Sequence, residues 1–130
     1  MAADTNVLLR AITGDDPKQS KLAREALAEA EKVALAILAL CETVWVLSQG
    51  YKIPARDIAA AIRRLMNSAN VLMNRPAAEA GLAMLEAGGD FADGVIAYEG
   101  HWLGATCFLS FDKTAVKLLA ARGEAVRVLT

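Results

Sequence analysis

Histidine occurs once, at His101, and cysteine only at Cys41 and Cys107. Zinc recruits nitrogen and sulfur ligands, and one histidine with two distant cysteines outside any CxxC pattern cannot build a zinc centre. Each cysteine is flanked by apolar residues, which predicts reduced, buried thiols rather than a disulfide. Long hydrophobic runs are also missing. The longest, Val33–Leu47, falls short of the roughly 20 residues that span a bilayer and carries Glu42 inside it. Asp4 and Arg10 interrupt the N-terminal apolar stretch, so no export leader is read there and the expected location is the cytoplasm, with no membrane partner. Charge of one sign is not in excess either. A net charge of −1 makes no demand for a nucleic-acid partner, and only a local basic patch would supply that attraction.

What the chain does have is apolar residues, 55% of 130, with charges spread among them, which argues against disorder and for one compact domain over residues 1–130. The opening "AADTNVLLRAI" reads as a strand, with β-compatible Thr5 and Val7, ahead of the turn residues Gly14 to Pro17. A surface helix follows from Pro17, with Leu22, Ala26 and Ala30 along one face. "VALAIL" reads as a second strand and "ALCETVWVLSQG" as a helix closed by Gly50. Pro54 and Asp57 open a helix with an Ile58–Ile62–Leu65 stripe and a basic flank of Arg56, Arg63 and Arg64. Then come a short strand "ANVLM", a helix from Pro76, a helix "DFADGVIAYEGHWLG", a strand "ATCFLSF", a helix "DKTAVKLLAARG" and a terminal strand "EAVRVLT". Strands alternating with helices predict an α/β layered sandwich on a mainly parallel central sheet.

Four acids stand out against this plan. Asp4 falls in the first strand, Glu42 in a long apolar run, Asp93 in the first turn of a helix, and Asp112 where a strand passes into a helix. Strand ends and helix starts are where carboxylates gather at one edge of a parallel sheet. Two such charges about 4 Å apart repel by roughly 4 kcal/mol at a dielectric of about 20, so a cluster of them calls for a cation. Oxygen donors without nitrogen or sulfur suit Mg2+ or Mn2+, and such an ion promotes hydrolysis of phosphodiesters. Taken one at a time, the same acids suit structural roles about as well, Asp112 as the cap of "KTAVKLL" for instance. Asp90 is placed as the cap of the helix that contains Asp93, accepting from the amide of Asp93.

"DTNVLLR", "ALCETVWVL", "DFADGVIAYEGHWLGA" and "FLSFDKTAVKL", in that order, resemble the four motifs of PIN-domain nucleases, with the bacterial VapC-type toxins of type II toxin–antitoxin systems looking most similar. The resemblance implies a PIN-like three-layer α/β/α sandwich and a Mg2+- or Mn2+-dependent endoribonuclease that cuts single-stranded RNA with a metal-activated water. It carries the catalytic roles onto Asp4, Glu42, Asp93 and Asp112. Asp4 and Asp93 would ligate the metal, and Glu42 and Asp112 would act directly or through water. Thr5, Asn6 and Ser110 are supporting residues beside these acids. The family usually has Ala where this chain has Gly94, and Thr where it has Ser110. The resemblance further implies a homodimer, a cognate VapB-type antitoxin, and contact with DNA only through that antitoxin.

Two rival readings stand beside this one. In the first, the protein is the PIN-fold half of a DNA-binding toxin–antitoxin complex with little nuclease activity of its own. In the second, it is a flavodoxin-like or receiver-type domain, for which Asp15 and Asp16 offer a pair of acids, but in a turn beyond the first strand. Arg10, Arg75 and Lys113 are candidate RNA contacts by neighbourhood, with ordinary surface charge the better account of each. Trp45 and Trp102 lie on apolar helix faces, where a core or dimer-interface role outweighs base stacking.

Overall fold

A computed structural model describes all 130 residues and divides them into two compact units, Met1–Arg75 and Pro76–Thr130. In the first unit the order is α1 (Thr5–Thr13), α2 (Pro17–Glu29), β1 (Val33–Leu35), α3 (Ile37–Trp45), α4 (Ala55–Met66) and β2 (Val71–Met73). A wide π-type turn over Val46–Gly50 follows α3. The second unit carries α5, which starts at the division (Arg75–Glu86), then α6 (Phe91–Trp102), β3 (Phe108–Ser110), α7 (Lys113–Ala121) and β4 (Val126–Val128).

Every strand pairing is parallel, as the alternation of strands and helices predicts. β1 pairs with β2 in the register Ala34↔Leu72, and β3 with β4 in the register Leu109↔Arg127. Each ladder is two strands of three residues, so most of the stabilisation comes from helix packing. Fully buried Leu8, Leu40, Leu47, Ile58 and Ile62 form the centre of the first unit, and Phe91, Leu82, Met84, Ala77 and Ala78 that of the second.

The N-terminal strand is the main correction. Only Ala2 pairs, in one parallel bridge to Ala34, and from Thr5 the chain is helical. Asp4 turns it: the carboxylate accepts from the amide of Val7 at 3.0 Å, an N-cap bond that starts α1. Leu8 and Leu9 are then buried on one face, a gain that overrides the β preference of Thr5 and Val7. The apolar face assigned to α2 is also corrected. Ser20 and Ala23 point inward, while Leu22 is 57% exposed. Both cysteines are thiols, but only Cys41 is half-buried, and Cys107 is exposed because the Leu103–Cys107 segment that carries it is open to solvent throughout.

In the second unit, α5 and α6 meet through glycine. A Cβ on Gly94 would collide with the carbonyl oxygen of Ala80 and stand 2.9 Å from Met84 Cγ, and one on Gly81 would stand 2.7 Å from the ring of Phe91. The two backbones therefore approach as only a missing side chain permits. Gly94 follows Asp93, so this contact sets where that acid sits.

A polar corner joins α1, α2 and the loop after the π-type turn. Arg10 Nε donates to Gln19 at 2.7 Å and its Nη1 to Asp15 at 2.9 Å, while Asp15 also accepts from Tyr51 Oη at 2.6 Å and from Thr13 Oγ1 at 2.8 Å. The Tyr51 and Thr13 hydroxyls, then Arg10, hold the Asp15 carboxyl down at about 2. Since this acid is depressed in the folded state, its contribution is complete above the ordinary aspartate range and is lost as pH falls toward about 2. Tyr51→Phe is expected to return Asp15 toward its ordinary value, read from the carboxyl carbon shift in an NMR pH titration. An unmoved titration would show that Tyr51 is not the chief cause. With Asp16 capping α2 through the amide of Gln19, the Asp15–Asp16 pair is architecture, which removes the receiver-type reading.

Candidate functional site

In the first unit Asp4 follows the residues that run beside β1, where the amide of Ala3 donates to the carbonyl of Ala34 at 3.3 Å. Asp4 is thus at the end of a strand-like segment and the start of a helix, and the residue is exposed. Glu42 projects from α3, the helix after β1. Thr5 Oγ1 donates to its Oε1 at 3.3 Å, tying the acid on α3 to the residue after Asp4. Asn6 is exposed, and no hydrogen bond of its side chain reaches either acid.

In the second unit Asp90 caps α6, accepting from the amide of Ala92 at 3.2 Å. The expected acceptance from Asp93 is corrected, because the Asp93 amide donates to the backbone carbonyl of Asp90 instead, at 3.1 Å. Asp112 caps α7 by accepting from Thr114 and Ala115 at 2.9 and 3.2 Å, and its own amide donates to Ser110 Oγ at 2.9 Å. Ser110 therefore fixes the turn that presents Asp112.

Asp93 stands apart from the other three. Asp4 and Asp112 start helices and Glu42 is held by Thr5, whereas no hydrogen bond reaches the Asp93 carboxylate. It is half-buried, and burial, then the charges of Asp90 and Asp112, push its pKa above the usual aspartate range. A helix N-terminus favours an acid by about 0.3–1 kcal/mol, yet the net shift is upward, so desolvation and like charge win. A half-buried, unpartnered carboxylate beside two others costs stability and is the kind of group kept for function.

No group of three or more His, Cys, Asp or Glu side chains is gathered as a ready-made metal cage. The donor chemistry nevertheless fits a hard cation, because the available groups are carboxylate oxygens and the crowding around Asp93 is what a positive ion relieves. Of the candidate RNA cations, Arg10 is committed to Asp15 and Gln19, and Arg75 to the carbonyl of Met66 and the side chain of Asn67; Lys113 is exposed. Trp45 and Trp102 are 60% and 75% exposed, so neither is in the core: the buried face of α3 is taken by Ala39, Leu40, Thr43 and Val44, and Trp102 ends α6. Sequence reasoning passed over Gly94 as a positioning residue. Its one signal was a glycine where an alanine is usual.

Carboxylates at strand ends and helix starts of a parallel α/β fold define a class of site suited to a divalent cation and phosphate chemistry. The sequence profile of the PIN domain matches residues 1–119, and the chain belongs to that family. PIN domains are generally metal-dependent nucleases that use divalent ions such as Mg2+, which sets this protein among hydrolases acting on nucleic acids. No curated protein matches the chain at a significant level. No helix is long and apolar enough to cross a membrane.

Proposed function

We propose that this protein is a Mg2+- or Mn2+-dependent endoribonuclease acting as the cytoplasmic toxin of a type II toxin–antitoxin pair, with residues 1–130 working as one domain. The observation that carries the nuclease reading is Asp93, a half-buried acid with no internal partner, crowded by Asp90 and Asp112. Support for a single domain comes from the family match, which runs through the division at Arg75 without a break.

Asp4 and Asp93 would hold the ion, with Glu42 and Asp112 acting directly or through water. A bound divalent ion lowers the pKa of a water and neutralises charge on the scissile phosphate. Glu42, steadied by the Thr5 hydroxyl, orients the attacking water. Ser110 keeps Asp112 in place through its backbone, and the Gly94 contact with α5 keeps Asp93 in place. The VapC-type resemblance of the four motifs supports a homodimer and a VapB-type antitoxin as partners, with DNA reached only through the antitoxin.

The test is incubation of the purified protein with single-stranded RNA, duplex RNA and single-stranded DNA, with Mg2+, with Mn2+ and with a chelator. Cleavage of the single-stranded RNA that needs the metal is expected. RNA left intact under all conditions, or cut equally in chelator, overturns the reading. The toxin half has its own check, a small protein with a DNA-binding N-terminus encoded on the same transcript.

A further inference from the structure

We propose that Trp45 and Phe111 are stacking platforms for unpaired bases of the nucleic-acid substrate. This rests on the nuclease reading and specifies how the substrate is held. Leu38, Glu42 and Trp45 form one stripe of α3 at spacings of four and three residues, which puts them on one face, and all three are exposed. Trp45 thus presents 60% of its surface to solvent one turn from a proposed catalytic acid. In the second unit Phe111 immediately precedes Asp112 and is 77% exposed. The chain has only seven aromatic residues, so two large exposed rings beside two of four site acids is a concentration.

Chemistry favours a base as the occupant. With a net charge of −1 the protein offers no overall attraction for a polyanion, and Arg10 and Arg75 are spent on internal contacts. Exposed Lys113 remains for a phosphate, and aromatic stacking is the further term that holds single strands. Packing a protein flat over Leu38 and Trp45 would take the Glu42 carboxylate between them out of water, whereas a base covers one face of the indole and leaves that carboxylate solvated. Stacking needs a free base face, so the device selects unpaired over paired strands.

The experiment measures binding of a labelled single-stranded RNA decamer by fluorescence anisotropy in the non-cleaving Asp93→Asn background. Trp45→Ala and Phe111→Ala are each expected to weaken binding on the order of tenfold, and Trp45→Phe to keep most of it. Trp102→Ala, at a ring exposed to 75% but beside no proposed site acid, is expected to change nothing. The same decamer in a duplex is expected to be indifferent to Trp45→Ala. Unchanged single-strand binding by Trp45→Ala and Phe111→Ala overturns the proposal. So does an equal loss for duplex, or a loss matched by a fall in sedimentation mass, which would make Trp45 a contact to a second copy. A parent protein that cleaves RNA while both alanine variants bind normally sinks stacking alone, and a parent that neither binds nor cleaves sinks the nuclease reading with it.

Discussion

Asp93→Asn is expected to lower metal-dependent cleavage by more than about a hundredfold, since residues that only steady a metal ligand already cost about 10- to 100-fold. The same change is expected to stabilise the metal-free protein. The folded-state pKa of Asp93 is raised by burial and by Asp90 and Asp112, so the folded chain holds this proton after the unfolded chain has released it. Stability therefore falls as pH rises from the ordinary aspartate range through the raised value, and at neutral pH the full cost of the ionised form is present. Asparagine removes that cost and keeps the shape. The gain in Tm, measured in chelator, should be seen at neutral pH and vanish in acid, where the aspartate is protonated in both states. Asp90→Asn is the companion: asparagine caps a helix as well as aspartate, so folding and most activity should survive. An Asp93→Asn protein as active as its parent would return that acid to a purely structural role.

Gly94→Ala is expected to be the most damaging conservative change in the second unit. Its single added carbon runs into the carbonyl oxygen of Ala80, which belongs to backbone and cannot rotate away, and presses on Met84 Cγ. Overpacking of this kind costs about 3 kcal/mol, and for a chain this size that lowers Tm by roughly 10 °C. Moving α6 off α5 also displaces Asp93, so kcat should fall in the fraction that remains folded. Gly100→Ala in the same helix is the control. There the new carbon meets only Ala105 Cβ, at 3.7 Å, and alanine's helix preference should stabilise by up to about 1 kcal/mol. Equal behaviour of the two variants in thermal unfolding would show that the α5–α6 approach is looser than described.

From Pro17 onward the elements were legible because their punctuation is local. Pro17 and Pro54 sit at helix starts, and Asp90 and Asp112 cap theirs. The first element was misread because "TNVLLRAI" is short enough for both periods to fit. What decided it was the Asp4 cap together with burial of Leu8 and Leu9, a tertiary gain that propensity does not contain. The acids were legible as residues and as places in the chain. Their division of labour was not: capping by Asp4 and Asp112 and the Thr5 bond to Glu42 depend on side-chain directions, and the strain on Asp93 depends on what surrounds it. Trp45 was obscured for a related reason. α3 is apolar nearly all round, and such a pattern does not say which side faces water.

The central claim is the proposed role of Asp4 and of Asp93 in metal-dependent hydrolysis. It is tested most directly by a double-mutant comparison of RNA cleavage rates in Mn2+, using Asp4→Asn, Asp93→Asn and the two together. Groups that act as one unit lose nearly everything on the first substitution, so each single variant should fall by more than about a hundredfold and the double variant should be hardly worse than either. Single variants that each retain most of the activity, or a double variant in which two modest losses simply multiply, would contradict the account.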